Sequence, residues 1–68
     1  MKVSDVTARV EEIRQIAADN EAAHGMEDDL HRDVLRYIAS ALASPAHTQA
    51  LAKEALTTRD IDFCRWCS

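Results

Sequence analysis

One glycine, one proline, two cysteines and three aromatic residues are all that this 68-residue chain holds of those types. Each scarcity removes a class of protein. A single glycine leaves no room for a GxGxxG dinucleotide fingerprint or a phosphate-cradling P-loop, and no GxSxG nucleophile elbow occurs either. So few turn-forming residues argue against β-hairpins and for helices. Basic residues are also in deficit: eight lysines and arginines face twelve acids, giving a net charge of −4. A chain of that sign repels phosphate backbones, so nucleic-acid binding is not expected. The opening MKVSDVTARV has no long apolar run. Neither a signal peptide nor a membrane-spanning helix is therefore predicted, and the cytoplasm, where cysteines stay reduced, is the expected compartment.

What the chain does have is hydrophobic periodicity. Val3, Val6, Val10, Ile13 and Ala17 recur at steps of three and four, with Ile16 beside them, which predicts a helix over 4–19 capped by Ser4 or Asp5. Met26, Leu30, Val34, Leu35, Tyr37, Ile38, Ala41 and Leu42 form a second series. It predicts a helix over 25–43 that starts at Gly25 or, alternatively, at Asn20 with Gly25 tolerated inside. Ser44 and Pro45 mark the start of a third helix, over 45–58, the serine as cap and the proline where a missing N–H costs nothing. The expected fold is all-α: one domain over 1–68, a small three-helix bundle with a docked C-terminal aromatic tail. At this length a chain is near the lower limit for folding alone. Total stability should be roughly 3 to 10 kcal/mol, so self-association or a partner could decide whether the fold persists.

Two constellations carry chemistry. The stretch EAAHGMEDDLH places Glu21, His24, Asp28 and His31 at ExxH and DxxH spacing, which puts carboxylate and imidazole on one helix face as helical metal sites require. Against this, His24 and His31 would stand roughly 10 Å apart along a helix axis, too far to share one ion without further ligands. The simpler reading makes Glu27, Asp28 and Asp29 first-turn carboxylates that complement the helix dipole, with His31 half-buried or paired with Asp28.

The second constellation is the ending, DIDFCRWCS. A redox CxxC belongs at a helix N-terminus after a strand, and a lone pair of cysteines lacks two ligands of a zinc site. The aromatics explain this segment better. Phe63 and Trp66 could each bury about 150 to 250 Å², removing roughly 4 to 6 kcal/mol of exposed apolar cost per ring as an upper bound. With Ile61 they are expected to anchor one end of the bundle, the cysteines serving as small apolar filler.

The strings DNEAAHGMEDDLHRDVLRYIA, ALAKEALTTRDID and DFCRWCS together resemble a group of short acidic proteins encoded by mycobacteriophages and related actinobacterial phages and prophages. LHRDVL and DFxRWC are the most specific parts of that likeness, which spans about residues 10 to 68. It implies a setting, the infected bacterial cytoplasm, and no mechanism. The group's ending requires only the later cysteine, which corresponds to Cys67.

The expected core comprises Val6, Val10, Ile13, Leu30, Val34, Ile38, Leu42, Leu51, Leu56, Phe63 and Trp66. The expected function is a non-catalytic, phage-encoded domain that binds a host or phage protein, a homodimer being one mode, with no cofactor and no membrane or nucleic-acid partner. Because acids dominate the exposed faces, the partner surface is expected to be basic or apolar. The alternative is a metal-binding helical protein using Glu21, His24, Asp28 and His31.

Overall fold

A computed structural model describes residues 1–40 and 42–65, and within these the chain forms three α-helices and one short 3-10 helix. Helix α1 runs Val3–Gln15. Asp5 closes its start by accepting a hydrogen bond from the Lys2 backbone N–H at 2.9 Å, which satisfies one donor that the helix leaves open. The end comes earlier than the expected residue 19. At Ile16 the N–H is shared between the carbonyls of Glu12 and Ile13, and the chain turns through 16–19 because Asp19 is committed to the next helix. Its Oδ1 accepts from Ala22 N–H at 3.1 Å, an N-cap.

Helix α2 accordingly spans Asn20–Ser40, the longer of the two expected alternatives. Gly25 lies inside it without positive φ, and a β-carbon built there would meet nothing within 4 Å. Glu27, Asp28 and Asp29 are thereby removed from the first turn, and their expected role at the helix dipole does not hold. Helix α3, Pro45–Leu56, begins as its sequence requires: Pro45 opens it and Ser44 Oγ accepts from His47 N–H at 3.1 Å. The last turn then tightens into the 3-10 helix Thr57–Asp60, called η1 here, and the chain continues extended at Ile61.

Each helix packs on the other two, around a core of Val6, Val10, Ile13, Ala23, Leu30, Val34, Leu51, Ala55, Ile61 and Phe63. Most of the expected core is here, including Phe63, and Ile61 of the expected anchor joins it. Ile38 only packs against its edge, half-buried, as does Tyr37. Two expected members are corrected. Leu42, which lies beyond the Asn20–Ser40 span of α2, is fully exposed. Leu56 is 60% exposed, because Leu51, Ala55 and Thr58 occupy the inward direction of α3 and η1, and the next residue along an α-helix is turned by about 100° from its neighbour. Trp66 lies outside the described residues, as does Cys67. Among the described residues no helix is long and apolar enough to cross a membrane.

Candidate functional site

Helix α2 positions every residue of the predicted metal alternative, but does not gather them. Glu21 is exposed in the first turn. His24 Nε2 stands 3.5 Å from Asp28 Oδ2, one turn away. His31 looks elsewhere: its Nε2 lies 3.0 Å from the Ala55 carbonyl oxygen and 2.9 Å from Thr58 Oγ1. A carbonyl only accepts, so this nitrogen carries the proton and donates, which withdraws it from metal ligation. Among the described residues no group of three or more histidine, cysteine, aspartate or glutamate side chains could hold a metal ion. The expected reduced state does not hold at Cys64, which is disulfide-bonded. The expectation rested on compartment alone, and nothing in the residues fixes a reducing one.

The strongest electrostatic feature was not foreseen. Glu27 is only 2% exposed and lies among Ala23, Leu30 and Val34 on the inner stripe of α2. Arg65 reaches it with a two-pronged bond, Nε to Oε1 and Nη2 to Oε2, each 2.9 Å. The same guanidinium donates from Nη2 to the Thr58 carbonyl at 2.8 Å, and from Nη1 to the carbonyls of Ile61 and Phe63 at 3.3 and 3.4 Å. All five arginine N–H groups therefore have an acceptor. The guanidinium also sits 3.9 Å from the centre of the Phe63 ring, a cation–π contact. Arg59 Nη1 adds a weaker ion pair with Glu27 Oε1 at 3.7 Å.

This saturation explains how a carboxylate survives in the core. The hydrogen bonds from Arg65 hold the Glu27 carboxyl down to about 2 from its ordinary 4.5, overcoming the upward push of burial. The Thr58 hydroxyl and the charges of Arg65 and His31 act in the same direction. Glu27 in turn pushes the Arg65 guanidinium further toward its charged form. A carboxylate so strongly anionic, with a fork clamped on it, is a poor proton acceptor. What the arrangement does is fasten η1 and the extended segment after it to the middle of α2. One signal in the sequence points to it: Ala23, Glu27, Leu30 and Val34 are spaced four, three and four apart, so the acid interrupts an otherwise apolar stripe.

The feature suited to binding is apolar. Between α2 and α3 a groove of about 160 Å³ is lined by His31, Val34, Leu35, Ala52, Ala55 and Leu56, with no residue of α1 in its lining. Its lips are Leu35, 66% exposed, and Leu56. Leu56 was expected in the core and Leu35 belongs to the apolar series of α2; both stand one helical step past the residues that reach the core, Val34 and Ala55. A smaller recess of about 110 Å³ and mixed lining lies along the α1/α2 seam, bordered by Arg9, Glu12, Ile13, Met26 and Asp29. Arg9 and Asp33 bridge the same two helices at 2.9 Å.

Compared with protein-family models, with curated proteins and with solved structures, the chain finds no match in any of the three.

Proposed function

We propose that this chain is a non-catalytic protein-binding domain of phage or prophage origin, and that it binds through the groove between α2 and α3. One observation carries the reading. Leu35 and Leu56 are large apolar side chains, 66% and 60% exposed, and both border one recess. A chain with so small a core would gain from burying them inside, yet the fold spends them on its surface. Paired exposed leucines flanking an apolar floor are the form taken by sites that receive a helix. The phage origin rests on the resemblance of LHRDVL and DFxRWC to the actinobacteriophage group.

The test is capture of protein partners from actinobacterial lysate by the immobilised chain, run beside a Leu35→Glu variant. The wild type is expected to retain a partner, or a differently tagged copy of itself, which the variant releases. A wild-type chain that retains neither and stays strictly monomeric would overturn the proposal.

A further inference from the structure

We propose that the Cys64 disulfide is a thiol-sensitive switch: closed, it holds Arg65 on Glu27, and opened by a small thiol or dithiol it releases the segment that Arg65 fastens to α2. The inference concerns the buried bond and does not depend on the groove.

Connectivity comes first. Cys64 is disulfide-bonded, and the chain's one other cysteine is Cys67. Within a single chain the bond therefore closes a ring of four residues with Arg65 inside it. A cross-link over a long loop restrains the whole chain, whereas one over so short a ring acts mainly on its own neighbourhood. Its local effect is a turn. A disulfide keeps its two α-carbons within about 7 Å of each other, while three extended residues would part them by about 10 Å.

A turn is what Arg65 needs. The chain bends at this residue, and the guanidinium folds back to the carbonyls of Thr58, Ile61 and Phe63 while it grips Glu27. An extended chain would carry the same side chain away from those carbonyls. At the edge of the ring, Cys64 N–H donates to Asn20 Oδ1 at 3.0 Å. Two adjacent residues thus fasten one segment to two places on α2, its first residue and the buried acid about two turns further on. The partners lie 44 and 38 residues away in sequence, so no local structure keeps them once the ring opens.

Cys64 is half-buried, not sealed in the core, and opening follows thiol-disulfide exchange. A thiolate of the reductant attacks one sulfur and forms a mixed disulfide. A second thiol then displaces it, leaving two cysteine thiols on the chain and the reductant as its own disulfide. Two electrons and two protons pass to the protein. Ile61 and Phe63, which close the core beside the clamp, lose their tie to α2.

Thermal unfolding of the full chain, oxidised and with excess dithiothreitol, measures the switch. Reduction should lower Tm by about 5 to 10 °C and speed hydrogen exchange of the Cys64 amide at least about tenfold. Reciprocity supplies the discriminating readout: if the disulfide favours the clamp, the clamp favours the disulfide by the same factor. In glutathione buffers, Arg65→Lys, which cannot make the fork, should therefore leave the disulfide at least about fivefold easier to reduce than in the wild type. Glu27→Leu with Arg65→Leu should do the same, the lysine variant serving if that pair fails to fold. A bond equally reducible in wild type and Arg65→Lys would overturn the inference. So would a Cys64 amide whose protection survives reduction, or a disulfide found between chains on non-reducing electrophoresis.

Discussion

Glu27 and Leu35 stand eight residues apart on the same helix, and each is in the surroundings that its side chain would ordinarily give to the other. The acid is 2% exposed and the leucine 66%. The difference teaches that burial in so small a fold follows the partners available and only then the residue type. Glu27 is inside because Arg65 arrives with a fork of donors and brings the chain around it. Leu35 is outside because its direction from the helix axis points past α3, and nothing within the described residues covers it. One seam of α2 is closed by polar bonds, the other left open and apolar.

The largest effect expected from breaking this contrast comes at Glu27. Glu27→Gln removes the charge but leaves Arg65 surrounded by carbonyls, and losing one partner of a buried pair costs about 3 to 5 kcal/mol. Set against a total of roughly 3 to 10 kcal/mol for a chain of this size, the variant should lose about a third or more of its stability, as thermal denaturation would record. Replacing both members, as Glu27→Leu with Arg65→Leu, should restore part of that stability, since an apolar pair no longer strands a charge. A double variant as unstable as the sum of its two single variants would show that the two residues do not act together.

Acid should dissolve the same bond without mutation. Glu27 holds its proton less tightly folded than unfolded, with a value of about 2 against an ordinary 4.5. Its contribution is therefore complete above 4.5 and is lost as pH falls toward 2. At about 1.4 kcal/mol for each tenfold change in proton affinity, the loss is on the order of 3 kcal/mol. Urea midpoints measured from neutral to acid pH should fall through that window, and the fall should be much shallower in the Leu/Leu double variant. Equal slopes would place the acid sensitivity elsewhere.

Gly25 sharpens the contrast from the helix itself. It sits in α2 two residues before Glu27, with ordinary helical φ and open space where a β-carbon would go. Gly25→Ala should stabilise the chain by about 0.5 to 1 kcal/mol, by narrowing the unfolded ensemble and favouring the helix. Because the acid end of α2 depends on this stretch being helical, the variant should also raise the urea midpoint of the native chain at pH 4, where the Glu27 bond is weakening.

Much of the fold could be read from spacing alone. Val6, Val10, Ile13, Leu30, Val34 and Leu51 mark three inward stripes, and Ser44 with Pro45 fixes the start of α3. These are local signals, carried by neighbours within a turn or two. The helix ends were less legible: Asp19 looked like the last polar residue of α1 and proved to be the cap of α2. The buried bond was illegible for another reason. Its two partners are separated by 38 residues, and no periodicity links an acid in a helix to an arginine in an extended segment. The groove failed to show because Leu35 belongs to an apolar series wider than the face that α2 can bury. Where such a series stops being core is decided by how the neighbouring helices sit, which spacing along one helix does not contain.

The smallest expected effect tests that last point. Leu35→Gln keeps nearly the same helix propensity, so only the side chain's surroundings differ. If Leu35 serves the fold of the single chain, its loss should cost the 2 kcal/mol or more typical of a core leucine. If it serves a surface, the stability of the dilute monomer should change by no more than about 0.5 kcal/mol. The second outcome is expected from its exposure, and urea denaturation well below any association midpoint would measure it. The same substitution at Leu30, which is fully buried and one turn closer to the acid, provides the calibration. A leucine silent in the monomer and costly in the complex would place the selective pressure on Leu35 outside the chain that carries it.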